Sequence, residues 1–396
     1  MSSRFARIFA LAILLLAVGE TLLAHWLSLA WRGRGLGGLE WFAGGTALIG
    51  LNYVLFPLAR RRMHGRGAAL VASRTFILGS VGALLTGILL AFVFILIQGG
   101  AWVSGTSGSE HDILVWTGGL VIALGFGAIA WGASYGQSRI QVDRITLPIH
   151  HPAAQAPEVT GLQIAHITDL HIGPLLKPDR LRVFVDRINQ QGNDIVAITG
   201  DIFDFDPAYI ADGCRELARL EARYGVFAVL GNHDVYTGTE AVAAGLAEFT
   251  AIRLLRNEWE ELALGETGGL IVAGIEDDGQ GWTERESENP VLAELAAAMP
   301  RHLPSLLLAH RPAWFSHAAR LGFDAVLAGH THGGQVAFPG APHQNLSRMI
   351  ANRTRGVFTE SRSAMYVSRG LGVAGLPLRI GCPREIALIR LQPANL

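Results

Sequence analysis

The stretch AVLAGHTHGGQ, residues 325–335, sets two histidines one residue apart where an apolar run stops among glycines. If Ala325–Ala328 is a strand, its period-two geometry puts His330 and His332 on the same side of the chain as it leaves a sheet. Neutral imidazole is a general acid or base and a common metal ligand. A metal site needs more donors, and the chain offers them in one repeated arrangement. LQIAHITDLHIG (162–173), DIVAITGDIFDF (194–205), GVFAVLGNHDVY (225–236) and SLLLAHRP (305–312) each run from apolar, often β-branched residues abruptly into Asp, Asn or His. The candidates are Asp169, His171, Asp201, Asn232, His233, His310, His330 and His332. This mixture of oxygen and nitrogen donors suits Mn, Fe or Zn, whereas a Mg site prefers oxygen alone. A carboxylate such as Asp201 can bridge two cations, and seven of these eight shared by two ions would leave positions open for water and substrate. Taken singly, each residue has a plainer explanation: Asp169 or Asp201 as a helix cap, Asn232 in a turn, His310 in a core. Five strands ending together in such chemistry favour the metal reading. A further strand, GLIVAGIEDDG (269–279), ends in Asp277 and Asp278, which either line the pocket or sit in a solvated loop.

Those ends need a scaffold. Helix-like segments, Pro178–Gln191 and Tyr209–Arg223, separate the apolar runs, and RIQVDRITLPI (139–149) alternates as an opening strand. Strands alternating with helices imply buried strands covered by helices, with ligands at the carboxyl ends of the strands.

The N-terminal third is of another kind. The chain is 50% hydrophobic and 16% charged, too apolar for an ordinary soluble domain. Four apolar stretches, about 8–30, 39–58, 75–97 and 113–135, each approach the ~20 residues needed to cross a bilayer. We therefore expect a multi-pass α-helical membrane domain over 1–136 and an α/β domain over 137–396. The first stretch is too long for a cleaved signal peptide, lacks a small-residue cleavage site and is followed by three more spans. With the N-terminus inside, Arg4, Arg7, Arg60, Arg61, Arg62, Arg66, Arg74, Arg139 and Arg144 face the cytoplasm against Arg32 and Arg34 outside. The expected location is the cell (inner) membrane, with the lipid bilayer as partner and the second domain cytoplasmic. Residues 1–150 hold 11 of the 32 basic and 5 of the 33 acidic groups, so the remainder is net acidic and no nucleic-acid partner is expected. Glu20 and His25 fall inside the first span and are candidates for a relay or transport role, or for simple pairing within the bundle. Cys214 and Cys382 form no metal or disulfide pattern and read as small buried residues.

The motifs resemble those of the calcineurin-like metallophosphoesterases: D-x-H at "DLH" (169–171), G-D-x-x-D at "GDIFD" (200–204), G-N-H-D/E at "GNHD" (231–234), a separate histidine at His310, and G-H-x-H at "GHTH" (329–332). The extension "GGQ" and the later "YVSRGLGVAGLPLRIGCPREI" (366–386) are similar to a membrane-associated bacterial branch typified by YkuE- and YaeI-like phosphoesterases. The resemblance implies a four-layer α/β/β/α sandwich and two divalent metal ions, one held by Asp169, His171, Asp201 and His332, the other by Asp201, Asn232, His310 and His330. It implies that His233 faces the scissile phosphate, with Asp234 either orienting that ring or exposed in a turn. Gly329, Gly333 and Gly334 would let the backbone wrap beneath the two histidines. The implied reaction is hydrolysis of a phosphate ester by in-line attack of a metal-bridging hydroxide. These ligands do not choose among monoester, diester and pyrophosphate; the membrane anchor favours a substrate in or near the cytoplasmic leaflet, so a lipid-linked diester or pyrophosphate is expected, with a soluble nucleotide as the alternative. Two other readings stay open, a membrane-bound metal domain serving as a binding or regulatory module, and a transporter carrying a regulatory phosphoesterase.

Overall fold

Two compact units, Met1–Ala133 and Ser134–Leu396, divide the chain in the computed structural model, which describes residues 3–62, 67–104, 110–281, 285–338 and 340–394. The first unit is built of α1 (Ser3–Arg32), α2 (Gly38–Arg62), α3 (Ala68–Ser104) and α4 (His111–Trp131), the last running into a π-turn at Gly132–Gly136. All four are long and apolar enough to cross a membrane. α3 reaches 37 residues, well beyond the apolar stretch 75–97, because Arg74 and Gln98 interrupt the apolar run without interrupting a helix, both being good helix formers. Large side chains such as Phe42, Phe92, Leu96 and Trp116 point outward. Small residues make the helix contacts: a Cβ on Gly87 of α3 would fall 2.7 Å from the Gly19 Cα of α1, the close approach through which membrane helices associate. Glu20 and His25 both find partners. The Asn52 amide of α2 donates to Glu20 Oε2 at 2.6 Å, and the Leu36 N–H and Trp41 Nε1–H both donate to His25 Nδ1 at 3.0 Å. Of the arginines counted for orientation, Arg66 lies outside the described residues.

The second unit contains strands β1 (Ile140–Ile149), β2 (Ile164–Ile167), β3 (Ile195–Thr199), β4 (Val226–Val229), β5 (Arg253–Leu254), β6 (Glu258–Leu264), β7 (Gly268–Ile275), β8 (Ser305–Ala309), β9 (Ala325–Ala328), β10 (Ala337–Phe338), β11 (Ala341–Asn345), β12 (Gly356–Glu360), β13 (Ser363–Val367) and β14 (Arg384–Pro393). Its helices are α5 (Pro157–Thr160), α6 (Pro178–Asn189), α7 (Ile210–Leu217), α8 (Asn232–Phe249), α9 (Pro290–Ala298) and α10 (Phe315–Arg320). One six-stranded sheet has the order β1-β14-β2-β3-β4-β5, the other β12-β13-β9-β8-β7-β6. β2, β3 and β4 run parallel in the first, and β7, β8 and β9 run parallel in the second.

Strand alternation sorts the core into layers. Ile195 and Ala197 of β3 meet Leu306 and Leu308 of β8 in the core between the sheets. Val196 and Ile198 face the opposite way, with Leu181 and Phe184 of α6, Leu217 of α7 and Leu246 of α8. Leu307 and Ala309 face Leu292 of α9 and Ala318 of α10. Both faces of the central strands are therefore covered, which is why these segments read as unbroken apolar runs. The layers are those of an α/β/β/α sandwich.

Candidate metal centre

Every candidate ligand sits within the first few residues past a parallel strand. β2 leads to Asp169 and His171, β3 to Asp201, β4 to Asn232 and His233, β8 to His310, and β9 to His330 and His332. Once past their strands, the loops bond to each other. The Asp169 N–H donates to Gly200 O, the His171 N–H to Asp201 O and the Gly329 N–H to His310 O, each at 3.0 Å. The carboxylates work across loops as well: the His330 N–H donates to Asp169 Oδ1 at 3.0 Å and the His233 N–H to Asp201 Oδ1 at 2.8 Å. Asp169, His171, Asp201, His330 and His332 have φ of 52°, 50°, 51°, 70° and 52°. This left-handed region costs a residue with a Cβ roughly 1–2 kcal/mol, and a cluster of such strain marks a functional site. Two glycines that precede ligands are required by close approach: a Cβ on Gly231 would collide with the Asp201 backbone, and one on Gly329 with the Thr168 hydroxyl.

The donor atoms converge in three groups, one of which, His171, Asp201 and His233, overlaps the other two. Asp169, His171 and His332 present ligand atoms within 4.8 Å of one another, as do Asp201, His310 and His330. His171 Nε2 lies 3.0 Å from His332 Nε2, and His330 Nδ1 lies 3.1 Å from His310 Nε2. Asp201 Oδ2 stands between the groups, 3.6 Å from His171 Nε2 and 3.3 Å from His310 Nε2. Asn232 Oδ1 is buried there without a hydrogen-bond partner. Ring nitrogens aimed at ring nitrogens, plus an orphaned buried amide oxygen, form an acceptor-rich cage that cations would satisfy. The residues fit divalent metal binding.

The electrostatics agree. Burial pushes the Asp201 carboxyl up, yet the facing His310 and His233 hold it well below the usual carboxylate range. Burial lowers His310 but the Asp201 charge outweighs it, so the imidazole is pushed up to about 10. Burial and the neighbouring His171 depress His332 well below an ordinary histidine. Opposed shifts within one cavity are characteristic of functional centres.

Residues 162–334 match the sequence pattern of the calcineurin-like phosphoesterases. A Helicobacter pylori protein described as an uncharacterized metallophosphoesterase is 33% identical over 242 residues, covering 59% of this chain and 60% of its own length. The chain thus spans less than two thirds of that relative. A Bacillus subtilis protein described as the uncharacterized metallophosphoesterase YkuE is 27% identical over 282 residues, 70% of this chain and 96% of that one. An Aquifex aeolicus protein, again described as an uncharacterized metallophosphoesterase, is 31% identical over 241 residues, 60% of this chain and 87% of that one. This chain belongs to the metallophosphoesterase family.

In this member of the family the expectation for Asp234 needs correcting. Its carboxylate is fully buried and accepts the N–H groups of Ile202 (3.2 Å), Phe203 (2.9 Å) and Gly231 (2.9 Å). It ties the Asp201 loop to the Asn232 loop and bonds only backbone, and burial pushes it up to about 6. The carboxylate on the His233 ring is Asp204, whose Oδ1 lies 2.8 Å from Nδ1. Burial pushes Asp204 up, but His171 and His233 overcome it and hold the group well below the carboxylate range. Asp204 was visible as the last residue of "GDIFD", but the motif alone did not say which ring it met.

Asp277 is likewise neither a pocket wall nor solvated. It is buried and paired with Arg311, the residue after His310, while Asp278 is exposed. Sequence reasoning also missed the support beneath the site. Arg379 is fully buried and donates to the carbonyls of Arg369 (2.8 Å) and Gly372 (2.7 Å). It thereby holds a loop whose Leu371 N–H bonds Thr168 O at 3.0 Å, just before Asp169. Cys382 is buried with its thiol on His332 O at 3.2 Å, and Cys214 is buried and free.

Proposed function

We propose that this protein is a membrane-anchored, dinuclear-metal-dependent phosphoesterase that acts on a phosphodiester or pyrophosphate linked to a lipid. The observation that carries this reading is the placement of Asp201 Oδ2 between two histidine groups, with the orphaned Asn232 oxygen beside them. Asp169, His171, Asp201 and His332 would hold one divalent ion of the Mn, Fe or Zn type, and Asp201, Asn232, His310 and His330 the other. When bound, such a pair supplies Lewis acidity to the phosphoryl oxygens and to the attacking water. The chain's own contribution is positional. Asp201 keeps its charge at the centre, and its second oxygen fixes the His233 backbone. The His233 ring, held through Nδ1 by Asp204, directs Nε2 to protonate the leaving oxygen as attack proceeds in line. The His233 side chain keeps 18% of its surface accessible, in keeping with a group that meets substrate.

The domain reading is a membrane unit over 1–136 and a catalytic unit over 137–396. The arginine distribution supports an inner-membrane protein with the catalytic unit in the cytoplasm, where lipid-linked phosphates of the inner leaflet are within reach.

The test uses the full chain in detergent, stripped of metal and resupplied with Mn²⁺, Zn²⁺ or Mg²⁺, on a chromogenic diester beside a monoester. Metal-dependent hydrolysis that disappears in His233→Ala supports the reading. Two bound ions without turnover on either ester, or on a lipid pyrophosphate, would turn it toward the binding-module alternative.

A further inference from the structure

Between Asp324 and Glu360 the sequence has no acidic residue, although it carries Arg348, Arg353, Arg355 and three histidines. In a unit that is otherwise net acidic, this is a local inversion of charge. The same stretch holds β10, β11 and a 3₁₀ turn at Leu346–Met349. It also turns large apolar side chains to solvent: Phe338 is 71% exposed, Leu346 49% and Met349 76%. Among the described residues of the second unit, Phe338 and Met349 are the two most exposed large apolar side chains.

These residues form one patch. The Leu346 N–H donates to Val336 O at 3.3 Å, so Leu346 lies beside the strand that carries Phe338 two positions on. Leu346 and Met349 are three apart in a 3₁₀ turn, where side chains eclipse. Arg348 is exposed beside them, and the Arg285 guanidinium reaches the rim by donating to Met349 O at 3.3 Å. The patch is rooted in the candidate metal centre: the Ser347 hydroxyl donates to Thr331 O at 2.6 Å, between His330 and His332.

We propose that this patch, Phe338, Leu346 and Met349 with Arg348 and Arg285, docks into the surface of a bilayer containing anionic phospholipid. Glu286 and Glu360 are taken up by Arg353, while Arg348 and Arg285 stand beside the apolar tips, an arrangement that matches the acyl boundary and the phosphate layer above it. The chain's own four apolar helices are long and apolar enough to anchor it in a bilayer. The inference deepens the lipid-substrate reading and rests on it for its purpose, since docking would bring headgroup phosphates to the turn that carries His330 and His332.

The test is a depth measurement on the full chain in nanodiscs. Cys214 and Cys382 are both buried, so a cysteine introduced by Met349→Cys can be labelled selectively with an environment-sensitive fluorophore. The expected result is a blue-shifted label, quenched by lipids brominated in the acyl chain, in discs containing phosphatidylglycerol but only weakly in pure phosphatidylcholine. Adding Arg348→Glu should lower the ratio of docked to undocked patch, read from the quenched fraction, about tenfold. A label quenched by aqueous iodide alike in both disc types, and untouched by brominated lipid, would overturn the proposal. So would a label shielded from both quenchers, which would mean that protein covers the patch. The measurement does not use turnover. A lipid-quenched label on a protein that hydrolyses nothing would support docking while sinking the catalytic reading.

Discussion

The membrane unit and the α/β unit use the same apolar residues with opposite polarity. In the helices, Phe92, Leu96 and Trp116 face outward while Gly19, Ala83 and Gly87 lie at the contacts. In the sandwich, Phe227, Leu308 and Ile389 are fully buried, and the charged residues that do go inside, such as Asp234 and Arg379, are tied to backbone groups. Lipid is as apolar as leucine, so the helices gain nothing by hiding large side chains and associate through close fit instead. Water drives the sandwich to bury both faces of its sheets. The consequence for function is that only the sandwich has a rigid, water-excluding core against which strained, charged loops can be held. The bundle holds its few polar groups, Glu20 with Asn52 and His25 with Trp41, in mutual bonds.

That contrast can be broken most severely at the centre of the sandwich. Asp201→Asn removes the one charge shared by both histidine groups; turnover should fall on the order of 10³-fold or more, and elemental analysis of the purified protein should show metal lost as well. Full occupancy in this variant would refute the bridging role. His233→Ala should keep its metal and lose about 10²–10⁴-fold in turnover. Asp204→Asn, which loosens the hold on the His233 ring and on the His171 ring beside it, should lose roughly 10²-fold; no loss would mean the His233 ring is positioned by something else.

A smaller effect tests the inter-sheet core. His166 is fully buried at 2.8 Å from the Thr199 hydroxyl, and burial lowers its pKa to about 3. The unfolded chain takes up a proton near pH 6.5 that the folded ring refuses, so stability is intact above 6.5 and declines as pH falls towards 3. The slope is at most about 1.4 kcal/mol per pH unit. Urea denaturation at pH 7 and pH 5 should show a shallower loss in His166→Leu than in the parent; equal slopes would show that His166 is not the buried neutral group. The smallest effect belongs to the bundle. Gly87→Leu should loosen the α1–α3 contact by about 1–3 kcal/mol, read as a lower detergent unfolding midpoint, while hydrolysis of a soluble diester is unchanged. A parallel loss of turnover would mean the two units do not behave independently.

Much of this was legible in the sequence because each signal was local. Four apolar runs predict four helices, and unbroken β-branched runs predict strands buried on both faces. Asp, Asn and His just past the carboxyl ends of parallel strands point to a candidate site, since those ends gather along one edge of the sheets. The ends of α3 were not legible, because hydropathy reports solvent and not the helix ladder.

Other assignments depended on distance in space. Asp204 and Asp234 are both acids within ligand motifs, and nothing in their spacing says that one meets an imidazole while the other ties two loops together. Asp277 reads as a solvated loop until Arg311, 34 residues away, is found beside it. Residue types and strand periodicity thus determined that there would be a membrane unit and a polar centre at the strand ends. Only the tertiary structure decided which carboxylate serves which partner, because that choice is made by loops from two sheets meeting across one core.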